Sequence, residues 1–288
     1  MQELKKYKAV IFDWDGTLMN SEARIVDSIQ TAAKETGLPV LSYDESKQII
    51  GLSLEKAILG LYPELEQSQV VAMSEAYTQC FLEESNVDMV PFDGAEALLL
   101  NLKQQGLKVA IATGKSRKGL NAVLAETGFG AYFDMTRTPV ESASKPDPLM
   151  LTQILEEFGL EVADAVMIGD TTFDMEMAQN IEMDRVALSH GVHQTELLLD
   201  YNPVATLDSL NELIEKTFGN LLSADTIPEM LLVVLVVSIV PAFSEELMFR
   251  GYIQRSFEFK LKPFWAALIT AIFFSLFHFN PYGILPLA

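Results

Sequence analysis

The chain has 288 residues, 49% of them hydrophobic and 21% charged, enough for one large domain or two ordinary ones, each with its own core. Its formal net charge is −20, and because residues 223–288 hold four basic against five acidic residues, nearly all the excess lies in 1–222, which excludes a basic face for nucleic acid. Cys80 is the single cysteine, which excludes an intrachain disulfide and suits a reducing cytoplasm.

The opening "MQELKKYKAVIF" has too short an apolar stretch for a secretory signal. Within it "KAVIF" (8–12) reads as a buried parallel strand, stopped by Asp and Gly. Side chains alternate along an extended chain, so in "DWDGTL" (13–18) Asp13 and Asp15 are expected to point one way and Trp14 another. Taken alone, this stretch reads equally as an ordinary Asp-Gly turn.

Residues 20 to about 90 carry successive helical patterns, "SEARIVDSIQTAAKETG", "SLEKAILGLY" and "QSQVVAMSEAYTQCFLEE", with no strong strand among them. Cys80, inside the last, reads as buried filler. From 95 the chain alternates between helix and strand. "AEALLLNLKQQG" and "PLMLTQILEEFG" are helices ending on glycine, and "LKVAIAT" (107–113), "DAVMIG" (164–169) and "RVALS" (185–189) are buried strands. This order predicts an α/β fold with a mostly parallel sheet, ending near residue 219, with the helices at 20–90 inserted after the first strand.

Three further stretches fall at predicted strand ends or in the loops that follow. "ATGKSR" (112–117) offers the Thr113 hydroxyl and, at Gly114, a bare backbone that can approach an oxyanion. "SKPDP" (144–148) sets Lys145 in a proline-braced loop, and "GDTTFD" (169–174) offers Asp170 and Asp174. His190 and His193 in "SHGVHQ" lack further zinc ligands nearby in sequence and read as ordinary loop histidines.

In this order, the four stretches resemble the haloacid-dehalogenase superfamily of phosphohydrolases over residues 6–219, closest to its phosphoglycolate-phosphatase-like and pyrophosphatase-like branches. The resemblance implies a Rossmann-like sheet at 1–19 and 91–219, with a helical cap at 20–90. It implies Asp13 as nucleophile, Asp15 as general acid and base, Thr113 and nearby amides as holders of the phosphoryl oxygens, and Lys145 as the charge-stabilising cation. It further implies Mg²⁺ on Asp13, the backbone carbonyl of Asp15 and Asp170, supported by Asp174, and a small phosphorylated metabolite as substrate. "IIGLSLEKA" (49–57) resembles the cap loop that dips toward substrate, with Gly51 and Ser53 as candidates; Gly51 as a mere separator of two helices is the other reading.

After a linker at 220–226 the character changes. "MLLVVLVVSIVPAF" (230–243) is uncharged, and so is 263–288 apart from His278. Residues 227–288 are expected to form an apolar helical segment that associates with membrane, a buried hairpin being the alternative. "EELMFRG" (245–251) and "FSLFH" (274–278) resemble the first two motifs of the CAAX-protease and bacteriocin-processing family. Glu245, Glu246, Arg250 and His278 match them, and the chain stops ten residues after His278, without the later histidine motif. The expectation is a vestigial protease site, with a natural fusion, an engineered joint and an assembly artefact all open as its origin.

Overall fold

The apolar run near the start forms β1 (Ala9–Phe12), buried at all four positions. The computed structural model describes residues 7–215 together with Phe259, Leu261, Phe264, Trp265 and Ile269. By its internal contacts the chain divides into two units, Met1–Lys216 and Thr217–Ala288.

After β1 come β2 (Met19–Asn20), α1 (Glu22–Glu35), α2 (Tyr43–Lys47), α3 (Leu54–Leu61) and α4 (Gln67–Gln79). A π-helical turn over Cys80–Glu84 leads to β3 (Val90–Pro91) and α5 (Ala95–Gln104). The rest alternates: β4 (Lys108–Ala112), α6 (Arg117–Thr127), β5 (Met135–Arg137), α7 (Leu149–Phe158), β6 (Ala165–Gly169), α8 (Thr172–Gln179), β7 (Asp184–Leu188), α9 (Thr195–Leu199) and β8 (Ala205–Leu207).

Six strands form one sheet in the order β5-β4-β1-β6-β7-β8, every neighbouring pair parallel. The α/β expectation is met, and the four strands read from sequence lie at the centre of this sheet. The chain fills one side outward from β1, then returns to place β6 against β1's other edge. Ligands of such sheets bind beyond the carboxyl ends of the strands where the order reverses, here between β1 and β6.

Side-chain alternation splits the core into two layers. Val10, Phe12, Val109, Ile111, Val166 and Ile168 face one, which Leu98, Leu99 and Leu102 of α5 and Leu120 of α6 complete. Ala9, Ile11, Ala110, Ala112, Ala165 and Met167 face the other, against Met150, Leu151 and Ile154 of α7. Trp14 also lies in the first layer, edge-on to Phe129 and Phe133.

The helices between β2 and β3 occupy the stretch read as inserted. The chain leaves and returns through a short antiparallel ribbon, with Met19 opposite Pro91 and Asn20 opposite Val90. Ser42 caps α2 through a reciprocal bond with Glu45, a short helix that periodicity did not mark. The pattern read as one helix over 67–84 is an α-helix only to Gln79 and then a π turn. Cys80 is buried there, as expected. Among the described residues no helix is long and apolar enough to cross a membrane. The expected helical segment at 227–288, with Glu245, Glu246, Arg250 and His278, lies outside the described residues.

Candidate active site

β1 ends at Phe12, and the Asp13 N–H still donates to the Ile168 carbonyl at 3.0 Å, so Asp13 stands at the carboxyl end of the central strand. β6 ends beside it and delivers Asp170, and the first turn of α8 delivers Asp174. All three carboxylates are fully buried, and each offers an oxygen within 4.8 Å of the others'. Gly16 has φ +83°, and a Cβ there would collide with the Asp170 carboxylate, so the turn that brings the β1 loop over Asp170 needs glycine.

Lys145 reaches this cluster from the loop before α7. Its Nζ donates to Asp13 Oδ1 at 2.5 Å and to Asp174 Oδ1 at 2.6 Å, with no exposure to solvent. Burial alone would push this lysine down, but Asp13 and Asp174 hold it above the ordinary lysine range. The loop is braced by Arg117, which donates from Nε and Nη2 to both oxygens of Glu141 and from Nη1 to Thr136. The Arg117 hydrogen bond leads in holding the Glu141 carboxyl down at about 2.

Hydrogen bonding divides the carboxylates by what they can still accept. Asp174 Oδ2 takes the Thr171 N–H and hydroxyl, at 3.1 and 2.7 Å, so both its oxygens have partners. Asp170 takes the Thr17 hydroxyl at 2.6 Å and the Val192 N–H at 2.8 Å. Asp13 Oδ2 is buried with no hydrogen-bond partner. Burial pushes Asp13 well above the usual carboxylate range, Lys145 opposes that, and the neighbouring aspartates add to it. Burial, and then the charge of Asp174, push Asp170 up to about 7. An orphaned carboxylate oxygen among too many negative charges is the setting a hard divalent cation relieves, so the residues present fit one.

The Asp15 side chain is not part of this cluster. The strand has ended, strict alternation no longer applies, and Asp15 turns toward the inserted helices. Its Oδ1 accepts from Ser21 Oγ at 2.7 Å and lies 3.1 Å from Lys115 Nζ. Lys115 had no role in the sequence reading, although it sits inside "ATGKSR". Its position two residues after Thr113 was the available signal. Thr113 is buried, and its Oγ1 accepts the Lys115 N–H at 3.2 Å, which leaves its own proton free to donate.

The loop at 49–53 closes onto the core. A Cβ at Gly114 would collide with the carbonyl oxygens of Gly51 and Leu52. The Ser53 N–H donates to Ser144 Oγ at 3.0 Å, next to Lys145. Beneath this loop is a cavity of about 70 Å³, lined by Gly51, Asp15, Gly114 and Lys115 among others; Ser53 is not among its lining residues. The histidines read as ordinary loop residues are both packed against the core. His193 is buried, its Nδ1 taking the Thr172 N–H at 3.0 Å, and His190 lies on the Phe92 ring at 4.2 Å.

Residues 10–188 match the family model of haloacid dehalogenase-like hydrolases. The chain belongs to this family. A Dickeya dadantii protein named "Probable phosphatase IndB" is 32% identical over 211 residues, covering 71% of this chain and 91% of that protein. A phosphoglycolate phosphatase of Psychrobacter arcticus is 25% identical over 72% of this chain and 94% of its own length. Among solved structures, a hydrolase from Pseudomonas syringae superposes with a TM-score of 0.68 at 24% identity, over 74% of this chain and 98% of that one, a likeness of fold. The haloacid dehalogenase-like part of the chain is thus an enzyme of the phosphatase type. Residues 227–288 separately match a model described as type II CAAX prenyl endopeptidase Rce1-like.

Proposed function

We propose that the chain hydrolyses a small phosphate ester through a phosphorylated Asp13, with Mg²⁺ as cofactor. The observation that carries this reading is Asp13 itself, with Oδ1 anchored by Lys145 and Oδ2 buried and unpartnered beside Asp170. Asp13, the Asp15 carbonyl and Asp170 would hold the ion, which would offset phosphoryl charge so that a carboxylate can attack phosphorus. A carboxylate oxygen of Asp13 forms the new bond to phosphorus while the bond to the leaving oxygen breaks. Asp15 gives that oxygen its proton, then takes one from the water that cleaves the acyl phosphate, which returns both aspartates to their starting state. Thr113 donates to a phosphoryl oxygen. Lys145 keeps Asp13 oriented, and Asp174, bonded to Lys145 and Thr171, acts as the supporting carboxylate behind the ion.

The esters in view are of phosphoglycolate size, or pyrophosphate, and the helices at 22–84 act as the cap that limits access. The acidic phosphatase region is placed in the cytoplasm. Residues 227–288 are read as a segment that anchors or associates at a membrane, in line with the match to an Rce1-like model. The deciding experiment is Mg²⁺-dependent release of phosphate from small esters by the native chain and by Asp13→Asn. Activity retained in Asp13→Asn, or undiminished in EDTA, overturns the reading.

A further inference from the structure

Lys115 has no place in the phosphatase reading, yet it and Asp15 are the two charged side chains lining the cavity beneath the 49–53 loop, among the described residues. Three separate parts of the fold converge on this pair. The loop after β4 delivers Lys115, whose Nζ lies 3.1 Å from Asp15 Oδ1, with the two side chains 6% and 9% exposed. The π turn delivers Phe81, which stacks on Tyr77 and sets its ring centre 4.3 Å from the same ammonium. Ser21 stands at the N-cap of α1 without capping it, and its hydroxyl donates to Asp15 Oδ1 at 2.7 Å. An N-cap serine ordinarily bonds the first turn of its own helix, so this one is diverted to the acid.

Both ties fall on Oδ1, so Oδ2 is the oxygen left to hold a transferable proton. When that proton passes to the leaving oxygen, negative charge develops on Asp15 inside a wall rich in aliphatic and aromatic side chains. Without a partner such a charge is costly. Here it develops beside an ammonium already in place, so nothing has to reorganise as the phosphorus–oxygen bond breaks. While Asp15 is protonated, Lys115 has no other carboxylate partner among the described residues, and release of the proton restores the pair. We infer that Lys115 is a positioning residue for Asp15: with Ser21 it fixes Oδ1, and it takes up the charge left when Oδ2 gives its proton away. In the second step the attacking water returns a proton to Oδ2, so the pair ends each turnover as it began. This rests on the phosphatase reading and gives a role to a residue that reading leaves out.

The test uses the full chain with Mg²⁺ and esters whose leaving groups differ in their need for a proton. Propyl phosphate and phosphoglycolate release alkoxides, which need one; acetyl phosphate releases acetate, which does not. We expect Lys115→Met to lower kcat/KM by at least about tenfold for both alkyl esters and by less than about threefold for acetyl phosphate. Equal loss on all three, as a merely structural residue would give, overturns the inference and leaves the phosphatase reading standing. A loss confined to phosphoglycolate does the same, because it marks a lysine that binds the substrate's acid. A native chain that cleaves acetyl phosphate but not propyl phosphate also overturns it, since no proton donation to an uncharged leaving group is left to support. Inactivity toward every ester overturns the phosphatase reading and the inference with it. Where Lys115→Met does not fold, Lys115→Gln, which can still bond Oδ1 but carries no charge, is judged by the same ratio.

Discussion

Asp13 and Lys145 are fully buried, and burial of either charge without the other would be costly. Lys145→Met leaves Asp13 and Asp174 facing each other without a cation and should destabilise the metal-free protein by about 3–5 kcal/mol, read by denaturant unfolding. Asp13→Asn keeps the shape but replaces the oxygen proposed to attack phosphorus, so phosphate release should fall by about 10³-fold or more, while the thermal transition should move less than in Lys145→Met because Asp174 still pairs with Lys145. Asp13 and Asp170, both held above the usual carboxylate range, set the pH response in the same direction. The folded pKa of Asp170, about 7, lies above the ordinary carboxylate value. Its contribution to stability is therefore complete at pH below the unfolded pKa and lost as pH rises through about 7. Metal-free protein should melt higher near pH 5.5 than near pH 8, as far as these groups decide. Binding a divalent ion requires the ionised carboxylates, so the thermal shift produced by Mg²⁺ should be larger near pH 8.

Loops and helix ends decide whether the site is closed. Gly114 faces the backbone of the 49–53 loop so closely that Gly114→Ala must push Gly51 and Leu52 outward. That substitution should cut kcat/KM by at least about tenfold while unfolding free energy changes by less than about 1 kcal/mol, because the strand beneath is untouched. Steady-state kinetics beside an unfolding curve would separate the two effects. Strands were the most legible elements: β1, β4, β6 and β7 each contain a run of at least three consecutive apolar residues. The edge strands β5 and β8 have three residues each and no period to read, and only pairing with β4 and β7 makes them strands. The π turn at Cys80–Glu84 was likewise illegible, since its residues suit an α-helix and the extra residue is a matter of packing. Phe81 and Leu82, which that turn carries, both line the cavity.

For the whole molecule, β1 alone brings the first motif between strands that carry two others, so one short segment organises a site drawn from across 160 residues of chain. All of that lies within the unit ending at Lys216. A chain ending at Asn220 should keep the melting transition and the ester-hydrolysing activity, and in cell fractionation should leave the membrane pellet if the tail is what retains it. The sequence by itself determined the α/β class, the order of the motifs and the identity of the buried acids, because periodicity and strand ends are local properties of the chain. Tertiary structure alone decided that Asp15 parts from Asp13 to pair with Lys115 and that Lys145 bridges Asp13 and Asp174. Those outcomes depend on contacts between residues 29 to 132 positions apart, and no local pattern encodes which partner a buried charge will find.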